Sequence, residues 1–165
     1  MLLKNSDIRV GNIIQTGNNG VPHVNGYGEI GKVLSIGNDE QEFEQVYCEC
    51  SESFEWFFKD NYFGIPLNDE WHKKCGVEKN KFLEYVYDIS RFCKKGITQL
   101  VFSGDYLYLR ESESPNGIPS DLICLWNKDV NKEFYVHEFQ NLYFFLTRKE
   151  LEINNIFEET EEDDD

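Results

Sequence analysis

Four side chains of the kinds that bind zinc occur in two pairs, Cys48-x-Cys50 and His72-x-x-Cys75. Residues two apart lie on one side of a strand, and residues three apart share a helix face, so each pair could present both of its ligands together. Neither pair is a CxxC, however, and structural zinc motifs use more regular spacings. The sequence therefore favours the alternative, in which two strand cysteines and a helix-end pair never meet.

Two further residues, His137 and Glu138, lie beside Asn141 and carry groups that serve in acid–base catalysis. A histidine near a helix N-terminus is more often a capping or packing residue, and we expect that role here. The chain has no GxSxG nucleophile elbow and no Walker-type phosphate loop, and its glycine-rich segment 17–31 lacks the strand-to-helix context of a dinucleotide site. We therefore predict a protein that is not an enzyme and uses no cofactor.

The most unusual feature of the sequence is a concentration of acidic residues without any lysine or arginine between them. Its seven carboxylates are Asp39, Glu40, Glu42, Glu44, Glu49, Glu52 and Glu55. Charge of one sign repels itself and lowers stability at low salt. A solvated strand face that keeps an edge from aggregating is the simpler explanation, but a basic partner would relieve the repulsion. We predict a protein-docking role.

Aromatic residues are threaded through the end of this acidic segment and are the predicted anchors of the docking surface. They are Phe54, Trp56, Phe57 and Phe58. Aromatic side chains concentrate binding energy in protein interfaces, whereas charges at the rim mainly steer the encounter.

Composition supports a globular, acidic protein. The 165 residues are 40% hydrophobic, with 13 Phe, 9 Tyr and 3 Trp, which is enough to close one hydrophobic core. The formal net charge is -15, and a surface of that sign repels phosphate backbones, so direct binding to nucleic acid is disfavoured. Residues 158–165 carry seven of the 31 acidic residues, so the rest of the chain is acidic as well.

Five cysteines, an odd number, do not suggest a disulfide framework. Neither a secretory signal nor an apolar run of membrane-spanning length is visible in the sequence. We therefore expect free, mostly buried thiols in a reducing cytosol.

The elements that must position these residues begin with a small β unit over residues 8–36, where two β-branched runs flank a Gly/Asn-rich loop. Glu40, Glu42 and Glu44 then recur with a period of two. A strand through them would place all three carboxylates on one exposed face and Phe43 on the other.

Later elements follow from capping and periodicity. Asn68 as an N-cap and Gly76 as a stop predict a short central helix. Four short β-rich runs between residues 82 and 127 predict an antiparallel meander. Apolar residues with helical spacing predict a helix from His137 to about Thr147 that covers the sheet.

The predicted fold is therefore α+β: an antiparallel β-sheet with an N-terminal small barrel-like β unit, one short central helix and a C-terminal helix packed on the sheet. We expect a single compact domain over 1–157, with a β-rich subdomain over 1–60 and a sheet plus helices over 61–157. The acidic tail, 158–165, is expected to be disordered.

Four segments in order, IRVGNII, EIGKVLSI, GIPLNDEWHKKCGVEK and VHEFQNLYFFLTRKELEI, carry a resemblance. The chain resembles a widespread set of small, mostly uncharacterised proteins of bacterial phages and mobile elements. Their usual pattern is an LRIGN opening, a GIPLTEEWL middle and an HQLQNLYFALTGEEL end. Residues 39–56 and the acidic tail look particular to this chain. Because the set has no established catalytic residues, the resemblance implies context and shape but no site.

What the resemblance implies is a mobile-element protein in the cytosol of a bacterial host, a class that includes antagonists of host defence such as anti-CRISPR proteins. Combined with the charge, it predicts a phosphate-mimicking inhibitor of a basic host protein that handles nucleic acid, most concretely an RNA-guided CRISPR effector nuclease. The expected partner is that protein rather than nucleic acid or a membrane. Two alternatives stay open: a structural or assembly factor of the mobile element, and a small zinc-stabilised module.

Overall fold

The structure, a computed structural model, describes residue 3 and the segments 5–18, 21–22, 29–79, 85–92, 97–103, 106–111, 122–127 and 134–157. The chain divides into two compact units. The first comprises Met1–Pro66, Tyr135–Asn141 and Ile153–Asp165, and the second comprises Leu67–Phe134 and Leu142–Glu152. Residues 1–60, the range of the predicted β-rich subdomain, fall within the first of these ranges. The predicted acidic tail lies outside the described residues.

Short β-prone runs build an antiparallel sheet in the first unit. Its strands are β1 (Ile13–Asn18), β2 (Val21–Pro22), β3 (Ile30–Asn38), β4 (Glu44–Glu49), β5 (Phe54–Phe58) and β6 (Tyr62–Phe63). They are ordered β2-β1-β3-β4-β5, and β6 pairs with β1. The 3-10 helix Lys59–Asn61 interrupts the chain between β5 and β6, and no ladder joins those two strands in the described segments. The predicted barrel-like closure is therefore wrong, and β5 ends the sheet.

One face of this sheet covers a hydrophobic core. Its buried members, contributed by the strands and by the chain before β1, are Leu3, Ile8, Ile14, Val33, Val46, Cys48, Cys50 and Tyr62, with Ile36 and Phe57 packed against them. Burial of this apolar surface is the main driving force for folding the unit.

The second unit contains the predicted meander. Its strands are β7 (Glu78–Lys79), β8 (Tyr85–Asp88), β9 (Ile97–Ser103), β10 (Tyr106–Glu111) and β11 (Leu122–Asn127). All neighbours are antiparallel, in the order β11-β10-β9-β8-β7. On β10, Leu107 and Leu109 are buried while Tyr106 is exposed, which is the alternation expected of a sheet with one covered face.

The predicted central helix is confirmed as α1 (Asp69–Lys74). The Asn68 side chain accepts a hydrogen bond from the Trp71 backbone N–H at 3.0 Å, which satisfies one of the free donors of the first turn. Gly76 adopts a φ of +74° just beyond the helix, a conformation that glycine reaches without steric cost.

The C-terminal helix is α2 (Val136–Thr147). Its first residues belong to the first unit and its last residues to the second. In the second unit the buried Tyr143 makes edge-to-face contacts with the rings of Tyr87 and Phe92, at centroid distances of 5.6 and 5.7 Å. In the part of the chain that the structure describes, two antiparallel sheets and two α-helices confirm the predicted α+β class. Within the described part of the chain, neither helix has the length and apolar character needed to span a bilayer.

Candidate protein-interaction surface

A row of exposed aromatic side chains lies along β5, the last strand of the first sheet. Successive strand residues alternate between faces, and Phe57 packs against the core. Phe54, Trp56 and Phe58 share the opposite face, where they are 59%, 49% and 48% exposed. Single exposed apolar residues are ordinary, but three in one row form a patch of the kind that marks interaction sites.

Tyr47 of β4 extends this row across the ladder. It is the register partner of Trp56, and the two ring centroids are 5.0 Å apart. The ring of Phe54 lies 6.4 Å away on the diagonal. We refer to Tyr47, Phe54, Trp56 and Phe58 as the aromatic face.

The aromatic face differs from the predicted anchors by one exchange: it contains Tyr47, whereas Phe57 packs inward against the core. Alternation along a strand separates Phe57 from the other three anchors. Tyr47 joins them through the hairpin register, in which a two-residue connection at Ser51 and Glu52 places Tyr47 opposite Trp56.

The predicted strand through residues 40–44 is wrong, because residues 39–43 form a turn. Asp39 Oδ1 accepts hydrogen bonds from the backbone N–H groups of Gln41 and Phe43, at 2.9 and 2.8 Å. Glu42 has a φ of 65°, which no strand residue adopts. A short side chain that bonds to the backbone ahead of it competes with strand pairing, and here it ends the alternation of acidic residues.

As a consequence, the seven carboxylates are distributed over the turn and both faces of the hairpin instead of lining one sheet face. Glu49 lies on the aromatic face, in register between Lys32 and Phe54. Glu55 lies on the opposite face, across from the buried Cys48. Glu40, Glu42, Glu52 and Glu55 are exposed, whereas Asp39, Glu44 and Glu49 are half-buried.

One of these carboxylates is neutralised within the protein. The Lys59 ammonium lies 3.1 Å from a carboxylate oxygen of Glu44, and among the described residues it is the one ion pair that the seven form. An exposed pair of this type contributes little to stability. Most of the negative charge is therefore left to interact with solvent ions or a partner.

A cavity of about 720 Å³ opens between the 39–44 turn and the end of β5. Its lining combines aromatic rings and carboxylates, contributed by Asp39, Gln41, Glu42, Phe43, Glu44, Phe58, Lys59 and Asp60. Phe43, one of the lining residues, is 58% exposed. Rings beside carboxylates offer a cation both an aromatic surface and an ion pair.

The zinc-type residues do not form a metal centre. Among the described residues, no group of three or more His, Cys, Asp or Glu side chains could hold a metal ion. Cys48, Cys50 and Cys75 are buried free thiols, and burial raises the pKa of Cys48 and Cys75 to about 12. Such thiols stay protonated near neutral pH and are poor nucleophiles and ligands.

His137 and Glu138 take part in the structure of the helix start. A carboxylate oxygen of Glu138 accepts a hydrogen bond from the Tyr135 backbone N–H at 3.1 Å. Glu138 is the third residue of α2 and Tyr135 precedes the helix, so this is the reciprocal half of a capping box. His137 is 1% exposed. The burial of His137 agrees with the packing role expected for this histidine, whereas the cap formed by Glu138 was not predicted.

The neighbouring Gln140 and Asn141 bind residues 11–13, at the start of β1. Gln140 Oε1 accepts from the Ile13 N–H at 2.7 Å, and its Nε2 donates to the Gly11 carbonyl at 3.0 Å. Asn141 Oδ1 accepts from the Asn12 side chain at 3.0 Å. The IRVGN and HEFQN motifs are thus two sides of one hydrogen-bonded network.

The GIPL motif contacts the start of α2 as well. The Val136 N–H donates to the Ile65 carbonyl at 2.9 Å, and Pro66 forms a β-bridge with Tyr135. A Cβ atom on Gly64 would lie 2.7 Å from Cδ1 of Tyr135, so only glycine allows this close approach. All three motifs therefore serve packing and hydrogen bonding.

Comparisons with protein-family models, with curated proteins and with solved structures found no match to this chain.

Proposed function

We propose that this chain is a non-enzymatic binding protein that docks the aromatic face of its β4–β5 hairpin onto a cationic surface of a partner protein. The observation that carries this proposal is the exposure of Phe54, Trp56 and Phe58 beside a rim of carboxylates. This rim consists of Glu49 on the same face and of Asp39, Glu42 and Glu44 in the cavity that Phe58 also lines. Burying the exposed halves of these three rings would remove roughly 300 Å² from water. An aromatic patch of that size at the centre of an interface is typical of binding hot spots.

The charge supports a cationic partner. The chain has 31 acidic and 16 basic residues, and the acids around the aromatic face are exposed or half-buried. Complementary charge raises association rates and rejects partners of the same sign. Nucleic acids have that same sign, so we infer a protein surface that itself binds phosphates.

The resemblance to mobile-element proteins directs the choice of partner. We infer a host defence protein that handles nucleic acid, and the concrete form is an RNA-guided nuclease whose guide or target channel is positively charged. Carboxylates on the rim would occupy positions that phosphates take in that channel. The protein would then be an anti-CRISPR-like inhibitor.

A direct binding experiment tests the proposal. A purified, guide-loaded RNA-guided nuclease is titrated with the protein at about 50 mM and about 300 mM salt, since screening shortens the range of the field. The test variant replaces Glu40, Glu42, Glu49 and Glu52 by glutamine. The matched control is Glu152→Gln, an exposed acid outside the hairpin.

We expect weaker binding at the higher salt and for the fourfold variant, and unchanged binding for the control. Target cleavage should be inhibited in the same order. Equal binding by wild type and the fourfold variant at both salt concentrations would overturn the electrostatic part of the proposal, and absence of binding would exclude this nuclease as the partner.

A further inference from the structure

The free edge of β5 has a defined hydrogen-bonding pattern. The Cys50 N–H donates to the Ser53 carbonyl at 2.8 Å, which makes these residues a hydrogen-bonded pair of the hairpin. Such pairs alternate along an antiparallel ladder. Glu55 and Phe57 therefore direct their backbone groups toward β4, and Phe54, Trp56 and Phe58 direct theirs away from it.

Within the described residues, no strand pairs with this outer edge, because β5 is the last strand of the sheet. Edge strands are usually protected by charged side chains, proline or a bulge. The β5 sequence, FEWFF, has a single charged residue, Glu55, whose side chain lies on the face opposite the aromatic rings. It has neither proline nor lysine, and its register with β4 is regular. Aromatic residues also favour strand pairing.

We propose that the outer edge of β5 accepts an extended cationic segment of the partner protein as an additional strand. This inference rests on the proposed function and gives it a binding mode. Alternate side chains of the added strand would lie over the aromatic face, where lysine or arginine groups contact the rings. Their charges would meet Glu49 and the carboxylates of the cavity at the end of β5.

Charge selects this occupant over a second copy of the chain. Two copies, each with a net charge of -15, would bring identical acidic rims together, and like charges at an interface oppose association. A single nucleic-acid strand could stack on the rings, but such platforms need a positive groove for the phosphates.

Amide exchange with a defined peptide tests the binding mode. The probe is a short synthetic peptide of alternating arginine and valine, titrated into the full chain and followed by NMR. We expect the N–H groups of Phe54, Trp56 and Phe58 to exchange at least about tenfold more slowly in the complex. The N–H groups of Glu55 and Phe57 are already bonded within the hairpin and should change little.

Two control peptides separate the ladder from charge alone. The same peptide with alternate backbone nitrogens methylated keeps its charge but cannot form the ladder, and a glutamate–valine peptide reverses the charge. Both should bind at least about tenfold more weakly. Strand addition is overturned if the arginine–valine peptide does not bind, if it binds without slowing those three amides, or if either control binds equally well. Slowing that appears without peptide as protein concentration rises would identify a second copy as the occupant and also overturn it.

Variants at Trp56 separate this inference from the proposed function. Trp56→Ala removes the ring and keeps the outward N–H, whereas Trp56→Pro removes both, and edge strands tolerate proline on the solvent side. We expect Trp56→Pro to bind the peptide about tenfold more weakly than Trp56→Ala. If both variants bind the nuclease equally weakly, binding depends on the ring but not on the N–H, and strand addition alone is overturned. If both variants bind the nuclease as tightly as wild type, the proposed function is overturned. If the proline disrupts the hairpin, the methylated peptide decides.

Discussion

Two regions of the first unit use their polar and aromatic groups in opposite ways. At the start of α2, Gln140 and Asn141 turn their amides inward to the chain before β1. In the β4–β5 hairpin, the rings of Phe54, Trp56 and Phe58 face solvent. The first region joins the HEFQN and IRVGN motifs, and the second belongs to the acidic and aromatic segment 39–58. The comparison indicates that the polar groups at the start of α2 maintain the fold, whereas the rings of the β4–β5 hairpin form the surface that we propose as the docking site.

The largest expected effect concerns stability in the first region. Gln140→Met keeps the size of the side chain but leaves the buried Ile13 N–H and the Gly11 carbonyl without partners. Each lost bond to a buried group is expensive, so the free energy of unfolding should fall by about 3 kcal/mol. Urea unfolding measures it. Gln41→Met, in the exposed turn, is the control and should change stability by less than about 0.5 kcal/mol. Equal stability of both variants would contradict the assigned role of the network.

The next largest effect on stability is expected from replacing Gly64, with Gly37 as the control. The Cβ of Gly64→Ala would lie 2.7 Å from Cδ1 of Tyr135 and 3.1 Å from Cε1 of His137. Relieving such contacts by shifts of the backbone should lower the free energy of unfolding by about 2 kcal/mol. A Cβ on Gly37 would meet nothing within 4 Å, so Gly37→Ala should be close to neutral. Thermal or urea unfolding of the two variants side by side distinguishes close packing from a general effect of glycine replacement.

In the hairpin, we expect a substitution to weaken binding and to leave stability nearly unchanged. Trp56→Ala removes the centre of the aromatic face, and we expect nuclease binding to weaken about 10-fold, or ~1.4 kcal/mol, with little change in unfolding. Phe145→Ala is the control, since Phe145 is 66% exposed but lies on α2. If the two variants bind alike, the hairpin is not the docking surface. Loss of stability by Trp56→Ala alone would instead give this ring a structural role.

Sequence patterns predicted those secondary-structure elements that are determined by neighbouring residues in the chain. The cap at Asn68, the stop at Gly76 and the apolar spacing of α2 act within a few residues, and all three are present. The 39–43 turn was missed because alternating acids imitate a strand, and the hydrogen bonds of Asp39 outweigh that pattern. Among the described residues no ladder joins β5 to β6, and such a long-range property of the sheet is not visible in any sequence periodicity.

The network of Gln140 could not have been read from its surroundings, because its partners lie 127 and 129 positions earlier in the chain. A glutamine within a helical pattern looks like a solvent-facing residue. For the candidate surface, composition located the segment, but the choice between Tyr47 and Phe57 depended on register, which the hairpin turn sets.

His72, in the second unit, tests whether a polar group left without partners always signals function. Its ring is buried and stacks on Tyr85 at a centroid distance of 4.0 Å. Among the described residues neither ring nitrogen has a hydrogen-bond partner. Burial lowers the pKa of His72 from 6.5 to about 4, although the charge of Asp69 opposes the shift. The folded state therefore holds this imidazole neutral.

Because the unfolded chain protonates this histidine near pH 6.5 and the folded chain near pH 4, the unfolded state binds more protons between those values. The contribution of neutral His72 to the free energy of unfolding is therefore complete above pH 6.5, and it is lost progressively as the pH falls toward 4. After allowance for solvent screening, the loss is roughly 1 kcal/mol. His72→Phe keeps a stacked ring but removes the titrating group. The difference in unfolding free energy between wild type and variant should therefore change between pH 6.5 and pH 4. The titration of carboxylates affects both proteins alike and cancels in this difference. A difference that is constant with pH would show that the imidazole is protonated alike in both states, and the orphaned nitrogens would then require a partner.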